Sequence, residues 1–123
     1  MQILAEENKP QETTNQGAAV FSRFLQMVCN DALTHREVSY YADVLCVTPK
    51  YLSELCVKQT AKPATAWINS AAAQLAASLL RNKQYSLQDI ADRMAFSSVP
   101  HFCRFVKKAL GMTPTEYRKQ HLK

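Results

Sequence analysis

The chain has 123 residues, 47% of them apolar and 20% charged, with a net charge of +5. That is the size and composition of one globular domain, or of two very small subdomains sharing a core. It offers no run of 18 apolar residues for a membrane span and no signal-peptide pattern in MQILAEENKPQETTNQG, so a cytoplasmic protein without membrane contact is expected. Two glycines, Gly17 and Gly111, beside abundant Ala, Leu, Gln and Lys, argue against a sandwich or barrel and for an all-α chain.

Residues 1–17 are polar and aperiodic and contain Pro10 and Gly17, which predicts a flexible leader or interdomain linker. From Ala18 to about Thr34, Val20, Phe21, Phe24, Leu25, Val28 and Leu33 recur at helical steps. Val38, Tyr41, Ala42 and Leu45 repeat that spacing until Val47-Thr48-Pro49 interrupts it. Thr48 suits an N-cap and Pro49 the first helical position, so a second helix should run to about Thr60 with Leu52, Leu55 and Cys56 inward.

After Pro63, Trp67, Ile68, Ala71, Leu75, Ala76, Leu79 and Leu80 predict a long helix over 64–82 with two apolar faces. Ser86 then caps a helix through Leu87, Ile90, Ala91 and Met94. A turn at Phe96-Ser97-Ser98 leads to a helix lined by Phe102, Phe105, Val106, Ala109 and Leu110, which Gly111 can end in a left-handed cap. Thr113-Pro114-Thr115-Glu116 is a capping box that starts a short helix carrying Tyr117. About seven helices result.

Charge is uneven: residues 1–34 hold two basic and four acidic side chains, a balance of −2, and residues 35–123 hold 13 and 6, a balance of +7. A basic folded part suits a polyanionic partner. Cys29, Cys46, Cys56 and Cys103 form no close pair with one another or with His35, His101 or His121, so neither a metal site nor a cofactor is expected. Base, nucleophile and orienting group do not recur together, so no enzyme is expected either.

The two halves repeat. Ala42 matches Ala91, Asp43 Asp92, Leu45 Met94 and Val47 Phe96; beyond the turn Leu52 matches Phe102, Leu55 Phe105, Lys58 Lys108, Ala61 Gly111 and Trp67 Tyr117. Small Ala42 and Ala91 suit two helices crossing steeply through a short turn, and the second helix of each pair is then available to a DNA major groove.

YYADVLCVTPKYLSELCVKQT (40–60), AWIN (66–69), LLRN (79–82) and SLQDIADRMAFSSVPHFCRFVKKALGMTPTEYRK (86–119) resemble the AraC/XylS family of bacterial transcription regulators. The resemblance covers about residues 18–123. It implies a first helix-turn-helix subdomain (18–63), a linker helix (64–82) and a second helix-turn-helix subdomain (83–123), reading successive major grooves of operator double-stranded DNA. It further implies a bacterial nucleoid location, RNA polymerase as a partner, and a sensor or dimerisation domain absent from this chain, which would make the chain a fragment.

Carried over by position, the family's base-reading slots fall on Lys50, Tyr51, Ser53 and Glu54, and on Val99, Pro100, Cys103 and Arg104. Lysine or arginine donates to guanine, glutamate accepts from cytosine, and Val99 or Pro100 touches at most a thymine methyl. Phosphate contacts are expected from Thr48, Ser97 and Ser98 at helix starts and from Lys58, Lys107 and Lys108, with Arg36, Arg93 and Arg118 as further candidates. Cys46 and Ala95 stand at turn positions where the family usually has glycine, so either a left-handed backbone there costs roughly 1 kcal/mol or the turn adjusts, and Ala61 replaces the glycine that commonly ends the first recognition helix. Ala72 replaces a long polar residue and should lose a phosphate or interhelix contact. The competing reading is a helical protein-interaction module, in which Lys50, Glu54 and Lys58 are an exposed ion-pair ladder.

Overall fold

The computed structural model describes residues 10–122, with side chains from residue 16 onward, and these residues form seven helices. They are α1 (Pro10–Asp31), α2 (Val38–Leu45), α3 (Pro49–Thr60), α4 (Ala64–Leu80), α5 (Leu87–Arg93), α6 (Val99–Leu110) and α7 (Pro114–His121). The fold is all-α, and none of the described helices is long and apolar enough to cross a membrane.

The repeat is present in three dimensions. α3 and α6 each span 12 residues at an offset of 50, and α4 and α7 begin at the same offset. The caps match as read: Thr48 Oγ1 accepts the Tyr51 amide, Ser86 and Thr113 form capping boxes with Asp89 and Glu116, and Gly111 is left-handed. Cys46, Ala61 and Ala95 also take positive φ, at 60°, 64° and 60°. The turns therefore keep the left-handed geometry and accept its cost rather than adjusting.

One expectation is corrected. Of the leader predicted over 1–17, residues 10–17 are the start of α1, while residues 1–9 lie outside the described residues. Proline is well placed in a first helical turn, where its missing N–H would have had no partner. Gly17 is no break either: it is buried against α3, and a Cβ there would sit 3.0 Å from Leu55 Cδ1. Close helix approach, not backbone freedom, explains this glycine. α4 also ends earlier than Asn82, because Arg81 is its C-cap.

Two cores form. Phe24, Val28, Tyr41, Ala42, Leu45, Leu52, Cys56 and Ile68 are buried in the first, with Trp67 packed on it. Ala72, Ala76, Leu80, Ile90, Ala91, Met94, Phe102, Val106 and Tyr117 are buried in the second. The small pair Ala42 and Ala91 is fully inaccessible, as a steep helix crossing requires. Helix α4 feeds both cores with successive stretches and packs on every other helix, which is why its apolar residues occupy two faces. At 1.5 Å per residue its 17 residues span about 26 Å. Ala72 is fully buried, so its position serves interhelix packing and not a surface contact.

Candidate nucleic-acid interface

Each of α3 and α6 begins at a hydroxyl cap. Thr48 accepts the Tyr51 amide at 3.0 Å, and Ser98 accepts the His101 amide at 3.2 Å. Each cap leaves the hydroxyl proton free to donate, and one first-turn amide, that of Lys50 in α3 and of Val99 in α6, has no acceptor in its helix, since Pro49 and Pro100 carry no N–H. Ser97 is exposed and its Oγ lies 3.0 Å from His101 Nδ1.

With 3.6 residues per turn, positions 50, 53, 54, 57 and 58 share one face of α3, and 100, 103, 104, 107 and 108 share the matching face of α6. The structure exposes Lys50, Glu54 and Lys58 and leaves Ser53 half-buried. In α6, Pro100, Arg104, Lys107 and Lys108 are exposed, and Val99 and Cys103 are half-buried. The opposite faces of both helices, with Leu52, Leu55 and Cys56 or Phe102 and Val106, are buried. Tyr51 stands at the margin: it is 40% exposed, but its hydroxyl reaches back to within 3.9 Å of a Cβ built at Gly17 of α1.

The two faces differ in charge. Lys50, Glu54 and Lys58 alternate in sign, whereas Arg104, Lys107 and Lys108 are all positive. The basic side of α6 continues into an open groove of about 710 Å3 between the α1–α2 corner, α4 and the α5–α6 turn. His35, Arg36, Asn69, Phe96, Arg104 and Lys108 line it.

Three arginines considered for phosphate are engaged within the protein. Arg36 Nη1 donates to the Leu33 carbonyl at 2.9 Å and the Met94 carbonyl at 2.6 Å, and its guanidinium lies 3.9 Å from the Phe96 ring centre. Burial lowers its pKa from the usual arginine value, an effect opposed by Tyr41. Arg118 donates to the carbonyls of Leu80, Asn82 and Tyr85 and so ties α7 to the end of α4. Arg93 stacks on Tyr85 at 4.3 Å but is exposed. No local spacing signals the ties these two arginines make across the fold, because the Met94 carbonyl for Arg36 and the Leu80, Asn82 and Tyr85 carbonyls for Arg118 are distant in sequence.

Trp67 and Cys56 belong to the first core. Trp67 donates from its indole to Thr60 Oγ1 at 3.0 Å, meets Phe21 edge-on and carries Lys62 over its ring. Burial pushes the Cys56 thiol up to about 11, which removes it from thiolate chemistry near neutral pH. Among the described residues no group of three or more His, Cys, Asp or Glu could hold a metal ion.

Comparison with known proteins agrees with this arrangement. Residues 41–120 match the model of a family described as a helix-turn-helix domain. The chain is 28% identical over 98 residues to the regulatory protein PocR of Salmonella typhimurium, covering 80% of this chain and 31% of PocR. It is 30% identical over 90 residues to the HTH-type transcriptional regulator YijO of Escherichia coli, covering 73% of this chain and 31% of YijO. It thus spans about a third of the length of these curated relatives. Among solved structures, the C-terminal domain of AraT, a response regulator from Geobacillus stearothermophilus, shares the fold with a TM-score of 0.74 at 24% identity, over 82% of this chain and 84% of that one. The C-terminal domain of the response regulator yesN from Fusobacterium nucleatum does so with a TM-score of 0.68 at 20% identity, over 84% and 98%. With its doubled helix-turn-helix fold and a family match covering most of its length, the chain belongs to the AraC/XylS family of DNA-binding transcription regulators, a family of regulators rather than enzymes.

Proposed function

We propose that this chain is a bipartite reader of operator DNA, seating the faces of α3 and α6 in two successive major grooves. One observation carries the reading: two matched helices, each with a capped, outward N-terminus and a polar exposed face, are built on opposite ends of one rod. Successive grooves lie about 34 Å apart, and the roughly 26 Å rod plus the helices at its ends is commensurate with that spacing. The units 18–63 and 83–123 act as reading heads, and the segment 64–82, which holds α4, is their spacer.

In this reading Lys50 and Arg104 donate to guanine, Glu54 accepts from cytosine, and Ser53 and Cys103 fit whatever base lies opposite. Tyr51, Val99 and Pro100 supply apolar contact at the margins. Thr48, Ser97, Ser98, Lys58, Lys107 and Lys108 hold phosphates, and these set affinity and register without reading sequence. Arg36 and Arg118 leave the phosphate set because their donors are used internally. The domain works in the bacterial cytoplasm on the nucleoid, alongside RNA polymerase and a sensor or dimerisation domain carried elsewhere.

Fluorescence anisotropy with duplex DNA at two salt concentrations tests this. With about six phosphate contacts the log–log slope is near −5, and affinity falls on the order of a thousandfold between low and physiological salt. Lys50→Ala should change base preference, whereas Lys108→Ala should weaken all sequences alike. A helical module that binds only proteins would show no duplex affinity even at low salt.

A further inference from the structure

The rod that joins the two units does not by itself fix how they face each other. Helix α4 packs on all the others, but among the described residues no helix of the first unit packs extensively on a helix of the second. Two bodies sharing one rod retain rotation about it and bending along it as soft motions unless a second tie lies off the axis. The α1–α2 corner supplies such a tie: Leu33 packs on the second core, and Arg36 reaches the second helix-turn-helix directly.

We propose that Arg36 is a positioning residue that locks the second unit against the first and thereby sets the half-site spacing the two recognition helices accept. The spacing part rests on the DNA reading above; the locking part does not. Arg36 grips the place from which α6 springs. Met94 is the C-cap of α5, where carbonyls lack helical partners and the dipole is negative, so a cation donating there is doubly favoured. Phe96, under the guanidinium, is the turn residue that packs on Phe102 and Phe105 of α6. The corner that holds Arg36 is itself stiff: the buried Tyr41 hydroxyl donates to the His35 carbonyl at 2.7 Å, and Tyr40 donates to Asp31 Oδ2 at 3.0 Å. Nη1 donates to both carbonyls while the guanidinium lies over an aromatic ring, and the compact ammonium of lysine cannot meet the carbonyls and cover the ring in the same way.

Residual dipolar couplings of the uncomplexed chain test the lock. In the wild type, amides of α1–α3 and α5–α7 should fit one alignment tensor. In Arg36→Gln each half should still fit by itself, while the joint fit fails. A joint fit as good as that of the wild type would overturn the proposal. Arg36→Lys, which keeps the charge, serves if the glutamine variant does not fold and should show the same loss of a common tensor.

The second readout uses duplexes whose half-sites are separated by different numbers of base pairs. The wild type should prefer one separation by about tenfold or more, equivalent to about 1.4 kcal/mol. Arg36→Gln should flatten that preference while leaving affinity for an isolated half-site unchanged. An equal loss on isolated and paired half-sites would make Arg36 a plain DNA contact and overturn the proposal. If neither protein binds any duplex, the DNA reading fails, and the alignment measurement still decides the lock.

Discussion

The first and second helix-turn-helix units share a backbone plan but solve it with different residues, and the differences fall into two kinds. Interior positions match in character: Leu52 and Phe102, Cys56 and Val106, and Ala42 and Ala91 are all fully buried pairs. Several exposed positions diverge: Glu54 faces Arg104 in the alignment of the repeat, Val57 faces Lys107, and Lys50 faces Pro100, although Lys58 and Lys108 are the same. Packing thus constrains the inner faces to one pattern, while the outer faces are free to take different recognition chemistry. The first unit presents charges of both signs on this face, and the charged residues of the second, Arg104, Lys107 and Lys108, are all basic.

The units differ in local support as well. α2 begins at Glu37 without a side-chain cap, and α3 ends on Ala61 in a left-handed conformation. α5 begins with the Ser86–Asp89 box, and α6 ends on Gly111, which takes that conformation without steric cost. The second unit is therefore the better-capped half.

The comparison breaks most visibly in the cores. Phe102→Ala should cost about 3–5 kcal/mol and Leu52→Ala about 2–5 kcal/mol, read by urea denaturation, because each leaves a cavity at a fully buried site. Equal tolerance of either change would mean the repeat is not held by these matched positions. On DNA, Arg104→Ala and Lys50→Ala should each cost about 1–3 kcal/mol at one base pair and relax preference only there, as measured with single-base variants of a selected site. Exchanging the left-handed caps sharpens the contrast: Ala61→Gly should stabilise and Gly111→Ala destabilise, each by about 1 kcal/mol.

Acid provides the gentlest probe. The Ser86 amide holds the Asp89 carboxyl below its usual range, and the Thr113 amide does the same for Glu116. Both folded-state pKa values lie below the unfolded ones, about 3.9 and 4.3, so their contribution is complete above those values and is lost as pH falls through the folded values. α2 and α3 have no acidic residue in their first turns. Amide exchange followed downward from about pH 5 to about pH 3 should therefore rise first at the starts of α5 and α7. A simultaneous rise at the starts of α2 and α3 would count against this account.

Much of the architecture was legible because it is local. Caps at Thr48, Ser86, Thr113 and Gly111, and apolar spacing of three and four, are short-range signals; the structure places the caps as read, while Ala109 is exposed and Leu33 packs on the second core beyond the end of α1. The start of α1 was hidden because Pro10 and Gly17 look like breaks until Leu55 is seen against Gly17. Arg36 and Arg118 read as free cations in the sequence because the Met94 and Leu80 carbonyls that tie them across the fold lie 58 and 38 residues away. The recognition faces were legible as exposed stripes, but the turn of Tyr51 toward α1 depends on a tertiary contact that no spacing encodes.

Hydroxyl-radical footprinting on a site selected from random DNA tests the central claim most directly. Two units on one rod predict two protected patches on the same face of the duplex, displaced by about one helical turn of 10–10.5 base pairs. A single protected patch, or two patches on opposite faces, would contradict it.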